Sequence, residues 1–132
     1  MGTIPSFLGI MRSLSYLDFR FNSLDDLIPP DLSNCTELSY IDFSGNALGG
    51  KIPVELGLLQ KLEYLSLFSN SLENNIPSSL GNCSSLKFLY LGHNQLSGSI
   101  PPQLGNLKEL TEFSIYALSI ELGKISGLFP LS

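Results

Sequence analysis

One spacing constrains this chain more than anything else in it. Leu86, Leu89, Leu91, Asn94, Leu96, Ile100-Pro101 and Leu104 have counterparts 24 residues upstream at Leu62, Leu65, Leu67, Asn70, Leu72, Ile76-Pro77 and Leu80. The same order of residue types starts again at Leu38 and at Leu14, with Phe43 and Phe19 in the third apolar slot. A fixed period of this size marks a stack of coils, each too small to bury its own apolar face. The Ile-Pro pair also stands at Ile4-Pro5, so the numbering opens inside a coil, with Met11 in the slot that Cys35, Leu59, Cys83 and Leu107 fill later.

Inside each coil the pattern changes period. Around Leu65-x-Leu67 apolar and other residues alternate, which predicts a short strand with Leu65 and Leu67 inward and Tyr64, Ser66 and Phe68 outward. Such a strand must pair with its equivalents, in parallel because every coil runs the same way. The proline of each Ile-Pro pair favours extended backbone before it. Stretches such as Pro101 to Leu107 then have room for a turn or two of helix, partly 3₁₀. Where the chain leaves the strand, Asn22, Asn46, Asn70 and Asn94 form a column between inward apolar residues. A carboxamide both donates and accepts, so these read as a structural ladder for backbone groups that have no strand partner. Four positions on, Asp26, Gly50, Asn74 and Gly98 are residue types that tolerate left-handed backbone, which predicts a turn.

The whole sequence reads as one domain over 1–132: a partial repeat at 1–13, repeats from 14, 38, 62 and 86, and an irregular last repeat over 110–132. Two frames compete at the end. In strict register Leu110, Phe113 and Ile115 are inward, but Leu118 falls in the asparagine slot. Shifted by five residues, the frame fits more positions and places the last strand at Leu118 to Ile120, with Gly123 in the asparagine slot.

Composition removes several function classes. With 12 acidic against 7 basic residues there is no clustered cationic footprint for nucleic acid. No apolar run is long enough for a membrane span, and the first residues lack the plan of a signal peptide. Met1, Gly2 and Ser6 meet a loose myristoylation pattern, but Ile4-Pro5 already belongs to the repeat. Cys35 and Cys83, two coils apart, define no disulfide framework and read as buried small side chains.

These columns resemble the plant-specific class of leucine-rich repeats, found in the extracellular regions of receptor-like kinases and receptor-like proteins and in inhibitors of microbial polygalacturonases. Leu86, Leu89, Leu91, Asn94, Leu96, Gly98, Ile100, Pro101, Leu104 and Gly105 carry the resemblance, which spans residues 4 to 113. It implies an α/β solenoid: a right-handed coil with a parallel β-sheet on the concave face, short 3₁₀ or α turns on the convex side, and an extra short strand near the Gly-x-Ile-Pro segment. It further implies secretion, hence an extracellular or cell-surface location as part of a full-length receptor, and recognition of peptides, small hormones, microbial patterns or co-receptors. The leader, paired-cysteine cap, C-terminal cap, membrane helix and kinase domain of such proteins have no counterpart in the sequence, which reads as a fragment whose uncapped ends favour self-association.

The outward strand residues are the candidate ligand-binding positions: Tyr16, Tyr40, Tyr64 and Phe88 in one column, Asp18, Asp42 and Tyr90 in the next, then Arg20 and Phe68, and His93 at the edge. Aromatic side chains suit an interface core, and they equally suit packing between neighbouring strands. Asp18 and Asp42 should lie about 5 Å apart, a spacing permissive for glycosidase chemistry. An open face with Arg20 as counter-charge argues against it. His93 stands alone, without a metal-ligand cluster. Asn34-Cys35-Thr36 and Asn82-Cys83-Ser84 are glycosylation sequons on the outer turns; glycans there would leave the concave face free. No cofactor, metal or catalytic constellation is evident. The sequence thus reads as a non-enzymatic recognition module for a peptide or protein ligand or a co-receptor, the alternative being a remnant scaffold with no specific ligand.

Overall fold

The computed structural model describes residues 2–115. Three-residue strands, one or two to a coil, are separated by five-residue 3₁₀ turns. The strands are β1 (Tyr16–Asp18), β2 (Tyr40–Asp42), β3 (Tyr64–Ser66), β4 (Glu73–Asn75), β5 (Phe88–Tyr90), β6 (Gln95–Ser97) and β7 (Glu112–Ser114). The 3₁₀ turns span Ser6–Ile10, Pro30–Asn34, Val54–Leu58, Ser78–Asn82 and Pro102–Asn106.

The main sheet is parallel, in the order β1-β2-β3-β5-β7. Its register follows the repeat, with Tyr16 opposite Tyr40, Tyr40 opposite Tyr64, Tyr64 opposite Phe88, and Phe88 opposite Glu112. Strands this short gain their order from neighbours rather than from propensity. Beyond them, bonds such as Phe43 N to Ser66 O (2.9 Å) and Leu67 N to Tyr90 O (2.8 Å) carry the ladder on. The second short strand implied by the resemblance is present: β4 pairs with β6, and Leu27 forms a bridge to Gly49. The left-handed residues Asp26, Gly50, Asn74 and Gly98, with φ of 69°, 70°, 67° and 77°, lie at or beside these pairings.

Each 3₁₀ turn begins after the proline of an Ile-Pro pair, whose fixed φ starts it without a side-chain cap. It ends where Cys35, Leu59, Cys83 or Leu107 donates its N–H three residues back, to Leu32, Leu56, Leu80 or Leu104. Adjacent turns lie almost in contact: a Cβ built on Gly57 would stand 2.4 Å from the Ser79 carbonyl oxygen. Between sheet and turns runs one continuous core, in which Leu38, Ile41, Leu62, Leu65, Leu67, Leu86, Leu89 and Leu91 are fully buried. The chain is therefore an α/β solenoid. The strict 24-residue register holds as far as β7; the competing strand at Leu118 to Ile120 lies outside the described residues.

Candidate recognition face

Period-two alternation sends Tyr16, Tyr40, Tyr64 and Phe88 to the side of the sheet away from the core. The parallel register then stacks them. Tyr16 and Tyr40 lie 4.2 Å apart between ring centroids with planes 6° apart; Tyr40 and Tyr64 lie 4.4 Å apart at 10°. Tyr64 meets Phe88 tilted at 6.0 Å and Tyr90 edge-on at 5.6 Å. Tyr40 and Tyr64 therefore spend their ring faces on one another, while Tyr16, at the end of the stack, remains 58% exposed.

The stack covers Asp42. Outward on a strand is not the same as exposed, and Asp42 is only 2% exposed, with Ser44 and Ser66 also buried. This corrects the expectation of an open face at the aspartates: bulky Tyr40, Tyr64 and Arg20 stand around a short side chain and exclude water from it. One Asp42 oxygen accepts bonds from the Ser44 N–H (3.0 Å) and the Ser44 hydroxyl. The other receives the hydroxyls of Tyr40 (3.5 Å) and Tyr64 (3.4 Å) and faces Arg20 Nε at 3.7 Å. Ser44 and Ser66 share a further hydroxyl contact at 3.2 Å. With both oxygens occupied, Asp42 has no free lone pair facing solvent for acid–base work, and it anchors the ladder from below.

Arg20 is held by its neighbour: Nε and Nη2 donate to the two Asp18 oxygens at 2.9 and 2.8 Å. That bidentate bond holds the Asp18 carboxyl below the usual range and pushes the Arg20 guanidinium up. Burial, then the Asp42 charge, raises the Tyr40 and Tyr64 phenols. Tyr90 is pushed up to about 12 by burial and by its bond to Glu112.

At the far end of the strands a feature not read from the sequence appears. Phe21, Gly45, Ser69 and His93 form a column in the left-handed region, with φ of 56°, 72°, 60° and 55°. Only Gly45 adopts this without steric cost; it was the one signal, and three ordinary residues around it obscured the pattern. Phe21 lies across Gly45, where an added Cβ would be 2.2 Å from the ring, and is 77% exposed. His93 packs edge-on against Phe68, centroids 5.0 Å apart. Phe21 over Gly45 and Phe68 against His93 line this end of the strands as an aromatic lip, and Phe21 belongs with the candidates.

The asparagine column lies behind that lip. Asn46 Oδ1 accepts from Asn22 N and Leu24 N, both at 2.9 Å, and its Nδ2 donates to the Phe19 and Phe43 carbonyls at 2.9 Å. Asn70 Oδ1 takes the Leu48 N–H at 3.0 Å, and Asn94 Oδ1 takes the Leu72 N–H at 3.0 Å. Asn22 instead donates only to Arg20 O, at 2.8 Å on the surface. Away from the face, Cys35 and Cys83 are buried free thiols donating to Leu8 O (3.1 Å) and Leu56 O (3.2 Å). Burial raises both, the second to about 12. Asn34 and Asn82 are exposed at the last positions of their 3₁₀ turns.

Comparison with known proteins agrees with this geometry. The sequence model of the Leucine Rich Repeat family matches residues 13–35, 37–59, 61–83 and 85–107. Receptor-like protein kinase 7 of Arabidopsis thaliana is 48% identical over 40 residues, 30% of this chain and 4% of that protein. The plant peptide hormone receptor RGFR1 in complex with RGF2 superposes with a TM-score of 0.85 at 40% identity, over 86% of this chain and 18% of that one. The ectodomain of the receptor kinase SOBIR1 from Arabidopsis thaliana gives 0.82 at 31%, over 87% and 62%. This chain spans less than two thirds of each of these relatives. Four matched repeats, filling most of the sequence in the register of the sheet, place the chain in the leucine-rich repeat family, with repeats of the plant receptor-like class.

Proposed function

We propose that the sheet face binds an extended peptide or protein segment, as part of a receptor-like protein at the cell surface. One observation carries this reading: the exposed Phe21 ring lies over Gly45 on left-handed backbone, at the same end of the strands where Phe68 packs edge-on against His93. A ring held in place before contact loses little freedom on binding, and aromatic anchors of this kind dominate interface energetics. Tyr16 and the outer edge of Arg20 flank the lip with one further ring and unused guanidinium donors. The solved hormone receptor RGFR1 in complex with RGF2 supports the class of ligand.

The stacked rings refine the choice of contact residues. Tyr40 and Tyr64 have faces and hydroxyls engaged within the chain, so they act as support; Tyr16, Arg20, Phe21, Phe68 and His93 act as contacts. The test is capture of a peptide from an array by the full chain and by Phe21→Ala, Arg20→Ala and His93→Ala. We expect each variant to lose at least tenfold in affinity with its melting temperature within a few degrees of the parent. Unchanged capture by all three, or no captured peptide at all, refutes the reading and favours a scaffold without a ligand.

A further inference from the structure

Three tyrosines of one column are stacked over a single buried base. The parallel register sets Tyr16, Tyr40 and Tyr64 opposite one another on β1, β2 and β3. Tyr16 and Tyr40 are the closer and more nearly parallel of the two stacked pairs, at 4.2 Å and 6° against 4.4 Å and 10°. Beyond Tyr64 the stack ends, because Phe88 is tilted by 50° and Tyr90 by 61°. The Tyr16 side chain hydrogen-bonds the Tyr40 phenol and helps to raise it. Their oxygens therefore lie on one side of the pair, and the ring carbons ortho to those oxygens face each other as well. Tyr40 and Tyr64 both donate to Asp42 Oδ2, at 3.5 and 3.4 Å.

Stacked phenols beside a carboxylate suit one-electron oxidation. A phenol that has lost an electron becomes a strong acid, so the loss is easy where a base takes the proton at once. Tyr40 has Asp42 for this, and the exposed Tyr16 has water. Tyr64 shares its acceptor oxygen with Tyr40, and that oxygen takes only one proton. Other side chains compete poorly for the oxidant. The sequence contains no tryptophan, and Cys35 and Cys83 are buried thiols raised by burial, unlike the accessible thiolates that oxidants attack.

We propose that Tyr16 and Tyr40 form a site of oxidative cross-linking, joined between the ring carbons ortho to their hydroxyls, with Asp42 as proton acceptor and hydrogen peroxide, used by a haem peroxidase, as oxidant. The peroxidase removes one electron at Tyr16; Tyr40 refills it across the stack and passes its proton to Asp42. A second removal at Tyr16 releases that phenol's proton to water, and the two neutral radicals couple. The two ortho C–H protons then move to the oxygens, which restores both phenols, and Asp42 returns its proton to solvent. Two electrons and two protons convert one peroxide to two waters, and the chain ends two hydrogens lighter. The new carbon–carbon bond ties β1 to β2 across a loop of the repeat length, where packing and hydrogen bonds held them before. Peptide binding plays no part in the step, so the two readings stand or fall separately.

The sequence makes the pairing easy to read. Cleavage after Arg12, Arg20, Lys51, Lys61 and Lys87 puts Tyr16, Tyr40 and Tyr64 on separate peptides, 13–20, 21–51 and 62–87, and none of the three contains methionine. The folded full chain, treated with horseradish peroxidase and peroxide and then digested, should give dityrosine fluorescence and a joined 13–20/21–51 species two hydrogens below the sum of its parts. Tyr16→Phe and Tyr40→Phe keep the rings stacked and should each abolish that species, while Tyr64→Phe leaves it. Asp42→Asn, compared below its own melting temperature, should slow its formation by at least about tenfold. The cross-linked chain should melt at least about 5 °C above the parent, because the bond restricts the unfolded state. A cross-link to any other tyrosine, cross-linking only between chains, persistence in Tyr16→Phe, or an Asp42→Asn rate equal to the parent's overturns the proposal. So does the same pairing at the same yield in urea-unfolded chain, which would show that the fold does not select it.

Discussion

Removing one carboxamide from the ladder should cost very different amounts at different rungs, and Asn70 and Asn22 make the sharpest pair. In Asn70→Ala the Leu48 N–H, buried with its residue, loses the sole acceptor it has among the described residues, Asn70 Oδ1 at 3.0 Å. An orphaned buried donor costs about 1–3 kcal/mol. The donor side loses less, because the carbonyls are shared between rungs. Phe43 O also receives Asn46 Nδ2 at 2.9 Å, and Leu67 O also receives Asn94 Nδ2 at 2.9 Å. Both stay bonded when the Asn70 bonds of 3.0 and 3.1 Å go, which adds about 0.5 kcal/mol for each. Asn70→Ala should therefore cost about 2–4 kcal/mol. Asn22→Ala breaks one surface bond to Arg20 O and should stay within about 0.5 kcal/mol.

Urea unfolding reads the difference as a shift of midpoint at constant slope, and a thermal scan should show the Asn70 variant lower by roughly 8–16 °C. Asn70→Asp separates the two functions of the amide. It keeps an acceptor for Leu48 but sets a second oxygen against the Phe43 and Leu67 carbonyls, so it should be the poorer variant at neutral pH. Its deficit against the parent should shrink as pH falls toward about 4, because protonation restores one donor. Equal losses at Asn70 and Asn22, or an Asn70→Ala loss under about 1 kcal/mol, would refute the ladder as a load on the fold.

Two further changes probe the close approaches and the face. Gly57→Ala puts a Cβ 2.4 Å from Ser79 O and 2.8 Å from Ser79 Cβ, against backbone that cannot swing away, and should cost about 1–3 kcal/mol by urea midpoint. Gly49→Ala, whose nearest neighbour is 4.0 Å away, should stay within about 0.5 kcal/mol. The raised phenols of Tyr40, Tyr64 and Tyr90 favour the neutral form in the folded chain. Their contribution is complete below the ordinary tyrosine value of about 10 and is lost as pH rises toward the folded values. An ultraviolet titration should show this alkaline loss, and Asp42→Asn should bring the Tyr40 and Tyr64 ionisations to lower pH.

The core was readable because burial imposes one residue type on each column, and a slot such as Leu17-Ile41-Leu65-Leu89 admits nothing polar. Strand register followed from the same period, since a parallel stack of equal coils can pair only at multiples of the repeat. The left-handed turn at Asp26, Gly50, Asn74 and Gly98 was readable too, because all four belong to the types that tolerate it. The parallel column at Phe21, Gly45, Ser69 and His93 was not, because a phenylalanine and a histidine there argue against the very backbone they adopt.

Asp42 shows the physical limit most clearly. Alternation assigns a side chain to a face of the sheet, and that assignment depends only on its own strand. Exposure depends on the size of its neighbours, here Tyr40 two residues back on its own strand, Tyr64 on the next strand, and Arg20 from the preceding coil, drawn across by Asp18. The same columns with alanine at 40 and 64 would leave Asp42 in water, although its position in the repeat would be unchanged. A binding face on a solenoid is therefore a property of adjacent coils taken together, and residues in one column can divide into support and contact according to what stands one coil away.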